Sequence, residues 1–218
     1  MQTIEYINIS YDLTENELSD TLKKIKNIPE IQTIILPSYF IKYARGVLGY
    51  EKNLSCAIDF PMGMSDIKSR AAMSALAIKN LANYIDIVIP SNYLTNRKYD
   101  KIREDIKYQK GICQNVRYIL EYRAYDHQYL KKMGEILVDN GIKTVCVSTG
   151  YAVDVLSDSL IASQFLTSQV AGLNTIITAN CWNPRHFDLL LKNKIENIRF
   201  SSVFALESYI KYATSTKN

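Results

Sequence analysis

The chain has 218 residues, 47% of them hydrophobic and 22% charged, with 26 Lys and Arg against 22 Asp and Glu for a formal charge of +4. That length suits one domain spanning residues 1–218 and burying roughly 70% of its unfolded surface. The mild, dispersed charge speaks against nucleic acid as a partner and suits a phosphorylated small molecule. No apolar run reaches the ~18 residues of a membrane span, so no membrane partner is expected. The opening residues alternate like a strand rather than a leader. Cys56, Cys113, Cys146 and Cys181 are too scattered for a disulfide frame or a zinc knuckle, and they predict reduced thiols in a cytoplasmic protein.

Taken in order, the pattern predicts a strand over 3–9, then a helix capped by Asp12 or Thr14 with Leu18, Leu22 and Ile25 on one face. A short strand over 32–36 breaks at Pro37-Ser38 into a helix through Ile41, Ala44, Val47 and Leu48. A third strand over 54–60 ends at Pro61-Met62-Gly63 and leads to an Ala-rich helix over 65–81. Residues 84–89 form a fourth strand, closed by Pro90-Ser91-Asn92, and 95–110 a polar helix. The fifth strand covers 116–122, and the next helix, 126–140, stops at Gly141. The sixth strand covers 144–147, with a helix from about Asp154 to Val170; the seventh covers 175–179, with a helix opened by Asn183-Pro184. The eighth covers 197–200, and a last helix runs to about Tyr212. Alternating strands and helices joined by short turns predict an α/β fold, a (β/α)8 TIM barrel. An open doubly wound sheet is the alternative, but no Gly-rich loop follows the first strand. Both architectures put the site at the C-terminal ends of the strands.

The organising stretch is 141–150, Gly-Ile-Lys-Thr-Val-Cys-Val-Ser-Thr-Gly. A buried strand, a tight Ser148-Thr149-Gly150 turn and a helix start make an anion-binding corner, because free N–H groups and the helix dipole converge there. This stretch resembles the deoxyribose-phosphate aldolase signature, Gly-Ala-Asp-Phe-x-Lys-Thr-Ser-Thr-Gly. Further fragments follow the same family in order: Ile34-Ile35-Leu36-Pro37 with Phe40-Ile41 and Ala44-Arg45; Ala57-Ile58-Asp59-Phe60-Pro61-Met62-Gly63; Ile85-Asp86-Ile87-Val88-Ile89-Pro90, with Tyr84 in place of an acidic residue; and Val116-Arg117-Tyr118-Ile119-Leu120-Glu121.

The resemblance implies that Cys146 occupies the position of the Schiff-base lysine. It also implies that Ile176-Ile177-Thr178-Ala179-Asn180 replaces Lys-x-Ser/Ala-Gly-Gly, removing the second lysine, which would fall at Ile176 or Ile177. At the N-terminus Glu5-Tyr6-Ile7 replaces Asp-x-Thr. Asp86 aligns with the proton-relay aspartate, Arg117 replaces a lysine, and Gly150, Ser201 and Ser202, with Asn180 nearby, align with the phosphate-binding backbone.

A thiolate adds to an aldehyde to give a tetrahedral carbon, without the conjugated iminium that stabilises a carbanion, so Cys146 does not substitute for the amine. Lys143 lies about 10 Å down the strand and is expected to face away. Asp59, Asp86, Glu121 and Cys146 converge on the strand ends, but with only His127 and His186 in the chain no metal site and no cofactor are assigned. Trp182 is expected to pack over the barrel edge. Two functional expectations result. One is a non-catalytic homologue retaining a phosphate-binding corner; the other is a lyase-type enzyme of altered mechanism, using Asp86 and Arg117 with Cys146 or a metal on a phosphorylated sugar or aldehyde. The expected partner is phosphate or a phosphorylated small molecule, and homo-oligomerisation is left open.

Overall fold

A computed structural model describes residues 2–151, 155–178 and 181–216. Eight parallel strands close into a barrel in sequence order: β1 (Thr3–Ile7), β2 (Ile31–Pro37), β3 (Asn53–Ile58), β4 (Tyr84–Val88), β5 (Val116–Ile119), β6 (Thr144–Cys146), β7 (Asn174–Thr178) and β8 (Asn197–Phe200). Closure comes from β1 pairing with β8, with Glu5 opposite Arg199. The helices between them are α1 (Glu15–Lys26), α2 (Ser38–Leu48), α3 (Ile67–Lys79), the short α4 (Ser91–Thr95), α5 (Tyr99–Ile112), α6 (His127–Asp139), α7 (Leu156–Gln169), α8 (Pro184–Lys192) and α9 (Val203–Ser215).

Local chemistry sets several of these boundaries. Thr14 and Glu17 form a reciprocal capping box at the start of α1. Asp66, Asp126 and Asn183 each cap a helix by accepting a backbone N–H three residues on, and Pro184 supplies the pre-set φ at the start of α8. Leu18, Leu22 and Ile25 of α1 are fully buried, each contributing roughly 1.5–3 kcal/mol relative to exposure.

The observed elements depart from the expected ones where backbone geometry overrides pattern. The polar helix expected over 95–110 starts only at Tyr99, because the short α4 ends at Thr95 and Arg97, with φ +52°, breaks the chain between them. β5 leaves the ladder at Ile119 instead of 122, because the chain enters a 3-10 turn at Tyr122–Ala124 and Glu121 turns towards the β6 loop. The helix expected over 65–81 starts after the Asp66 cap and ends before Leu81, which has φ +73°. The expected helix start at Asp154 lies outside the described residues. No helix among the described residues is long and apolar enough to cross a membrane.

Alternation along the strands creates two cores. Ile85 and Ile87 of β4 and Val116 and Tyr118 of β5 face the helices and join the large apolar shell around the barrel. Their neighbours face inward. Val88, Ile119, Cys146 and Ile176, one from each of β4 to β7, form a separate buried apolar layer with Phe60 packed on it. Asp86 and Arg117 lie two residues earlier on β4 and β5, one layer deeper in the barrel.

Candidate functional site

The inner layer below this apolar one is charged. Arg117 donates from Nε to Asp86 Oδ1 (2.8 Å) and from Nη2 to Asp86 Oδ2 (2.7 Å), and its Nη1 donates to Glu5 Oε1. Arg199 donates from Nε and Nη2 to Glu5 Oε2 (3.0 and 2.8 Å) and from Nη2 to Asp86 Oδ2 (3.2 Å). Ser55 Oγ donates to the same Asp86 oxygen (2.7 Å). All four charged side chains are buried. Two cations and two anions with shared hydrogen bonds are what such an interior demands, since an unpaired charge there costs several kcal/mol. The Tyr84 ring faces the Arg117 guanidinium at 5.0 Å.

Electrostatics follow from this pairing. Burial alone would raise the Asp86 pKa, but the Arg117 and Arg199 guanidiniums outweigh it and hold the carboxyl below its usual value. Burial likewise opposes the charge on both arginines, and Asp86 and Glu5 reverse that, keeping them protonated. Asp86 and Arg117 are therefore brought together in a buried ion pair, with Asp86 Oδ2 accepting three hydrogen bonds and Oδ1 one.

Cys146 sits in the apolar layer, fully buried. Its Sγ lies 3.1 Å from Ser148 O and 3.1 Å from Thr178 Oγ1. Burial raises its pKa, with Arg199 opposing only in part, so the thiol stays protonated at neutral pH. Ile176 is its register partner on β7 and faces inward beside it, whereas Ile177 faces the helices. Lys143 is exposed at the opposite end of β6.

The remaining carboxylates near the mouth have structural partners. Asp59 accepts from Ser65 Oγ (2.7 Å) and Arg70 Nη1 (2.6 Å). Glu121 Oε2 accepts from Thr149 N (3.1 Å) and Oγ1 (2.6 Å), fixing the turn after β6. His127 stacks on Phe165 with ring centroids 4.4 Å apart. Among the described residues, no group of three His, Cys, Asp or Glu could hold a metal ion.

The turn after β6 and the start of α9 lie at the same end of the barrel. Gly150 has φ +69°, and a Cβ there would stand 2.9 Å from Thr178 Cγ2, so no larger residue fits that turn unstrained. Thr178 pairs in register with Arg199, two residues before Ser201. Ser202 caps α9 by accepting from Ala205 N (3.3 Å), and the first N–H groups of α9 lack intrahelical partners by construction. Gly150, Ser201 and Ser202 are all exposed. Asn180 lies outside the described residues. Trp182 is 61% exposed instead of packing over the edge, while its neighbour Cys181 is buried.

Arg199 escapes a reading based on motifs, as does the central role of Glu5. The available signal is an arginine inside a four-residue buried strand, a residue type almost never buried without a partner.

No protein-family model matches the chain. It is 27% identical over 152 residues to the deoxyribose-phosphate aldolase of Mycoplasmopsis synoviae, covering 64% of this chain and 68% of that one. It is 29% identical over 154 residues to deoxyribose-phosphate aldolase 1 of Staphylococcus aureus, covering 68% and 69%. Among solved structures, the aldolase QR15 superposes with a TM-score of 0.83 at 18% identity, covering 97% of this chain and 96% of that one. A deoxyribose phosphate aldolase of Aeropyrum pernix, described as a tetramer, gives 0.82 at 16%, covering 97% and 90%. The structural likeness establishes the barrel fold, and the sequence likeness supports the deoxyribose-phosphate aldolase resemblance.

Proposed function

We propose that the chain is a diverged member of the deoxyribose-phosphate aldolase family that no longer performs the aldol reaction and binds phosphate or a phosphorylated small molecule at the end of its barrel. The observation that carries this is Cys146. The resemblance aligns it with the signature lysine, and its thiol is fully buried in an apolar layer, where burial raises its pKa. An aldolase of this kind needs an amine at that point, because only the iminium it forms withdraws electrons from the neighbouring carbon. Ile176 beside it offers no second amine.

The proposed catalytic roles of Asp86, Arg117 and Cys146 in an altered reaction have weaker support. Asp86 is committed to two guanidiniums and a hydroxyl, and a protonated Cys146 is a poor nucleophile. A general base needs a free lone pair within reach of its proton.

The proposed anion site joins the Gly150 turn to the Ser201-Ser202 start of α9, with Asn180, two residues after the Thr178 that abuts Gly150, assigned to it by the resemblance. Backbone N–H groups and the helix dipole are its recognition elements, and these survive the loss of catalytic side chains. The scattered cysteines, four in the chain with no paired spacing, fit the cytoplasm. The tetrameric description of the Aeropyrum pernix relative supports a homo-oligomer here. Titration calorimetry with inorganic phosphate and with deoxyribose 5-phosphate tests the site: saturable binding of both is expected, and no heat from either would refute it.

A further inference from the structure

The turn after β3 reaches across the barrel mouth. Phe60, the second residue past β3, is partly buried and packs against the layer formed by Val88, Ile119, Cys146 and Ile176, side chains contributed by four successive strands. Its ring also meets Tyr151 edge-on at 6.3 Å, in the loop after β6. β3 and β6 are three strands apart in an eight-stranded barrel, so the Phe60–Tyr151 contact joins loops well separated around the rim.

The turn that carries Phe60 is fixed at several points. Asp59 adopts φ +53°, a conformation that costs a non-glycine residue about 1 kcal/mol or more and persists only where its surroundings impose it. Its carboxylate is held by Ser65, which donates from N and Oγ, and by Arg70, fully buried on α3. One Arg70 guanidinium donates to Asp59 Oδ2 (2.6 Å), to both Asp105 oxygens (2.9 and 3.0 Å) and to Val88 O (2.7 Å). Tyr118 OH completes the cluster on Asp105 (2.8 Å). Farther along, Gly63 N donates to Asp59 O (2.9 Å), and Ser91 N and Oγ donate to Gly63 O and Met62 O (3.0 and 2.8 Å). Gly63 itself has φ +63° and lies so close to Ile89 O that a Cβ would overlap it at 2.1 Å. The turn is thus stapled to the end of β4 and to α5.

We infer that Phe60 is a latched plug that seals the barrel interior, so that ligands at the mouth meet the outer rim and do not reach Cys146 or the Glu5–Asp86–Arg117–Arg199 cluster. The inference stands on packing and hydrogen bonding alone, independent of whether the Gly150 corner binds phosphate. Removing the ring leaves Cys146 facing an opening in its apolar layer, whereas Cys56, buried on the helix side of β3, gains nothing.

Native protein treated with iodoacetamide and mapped by peptide mass spectrometry reads this directly. Phe60→Ala is expected to raise the labelling rate of Cys146 by about tenfold or more, the consequence of lowering a local opening free energy. The rate at Cys56 stays at its wild-type value. Asp59→Asn keeps a residue tolerant of positive φ but removes the charge that holds the latch, and is expected to act in the same direction. A rise at Cys146 alone in either variant supports the plug. Unchanged protection of Cys146 in both variants overturns it, and so does a parallel rise at Cys56, which reports general loosening.

Discussion

Arg199 joins the two ends of the chain. It holds Glu5 from β1 and Asp86 from β4 while Arg117 holds the same two carboxylates from the other side. Removing one member leaves the others buried and unbalanced. Arg199→Met is therefore expected to destabilise the fold by about 3–5 kcal/mol in urea denaturation, the range for breaking a buried pair from one side. Pairing it with Glu5→Gln should recover part of that loss, and a single variant within about 1 kcal/mol of wild type would show the network to be expendable. Asp86 adds a pH dependence of defined sign. Its folded pKa is held below that of the unfolded chain, so its stabilisation is complete above roughly pH 4 and is lost as the pH falls through the folded value. Denaturation midpoints measured from neutral pH into acid should fall more steeply for wild type than for Asp86→Asn. Equal slopes would remove Asp86 from the acid transition.

At the level of elements, the corner between β6 and α9 separates capping from anion binding. Ser202 spends its hydroxyl on the Ala205 N–H, so Ser202→Ala should cost about 1 kcal/mol of stability. Phosphate affinity should stay within about twofold, because the proposed contact uses backbone groups. Gly150→Ala should do the reverse to the ligand. It forces a Cβ against Thr178 at positive φ, and calorimetry should show phosphate affinity down by about tenfold. A Gly150→Ala protein that binds like wild type would place the anion elsewhere. These elements also show what the sequence makes legible. Thr14 with Glu17, Asp126, and Asn183-Pro184 announce their helices because each signal acts within four residues. The break at Arg97 is silent because an arginine carries no mark of positive φ. The ion cluster is silent for a different reason. Glu5 and Arg199 stand 194 positions apart, and only barrel closure makes them neighbours.

For the whole molecule, the strand order and the family resemblance could be read from local pattern, whereas the closed interior could not. The resemblance that aligns Cys146 with the signature lysine does not show that Cys146 lies under Phe60 and above a neutralised charge cluster. The missing amine that the resemblance implies, an Asp86 held by two guanidiniums and Ser55, and the proposed Phe60 plug are the grounds for proposing a barrel that binds without forming a Schiff base. Borohydride trapping in the presence of deoxyribose 5-phosphate examines this in one step, since it reduces any iminium to a stable adduct whose mass and position are read by peptide mapping. No adduct on any lysine, and no release of aldehyde product, is the expected result. A reduced adduct on a lysine of the folded protein, accompanied by cleavage of the sugar phosphate, would contradict it.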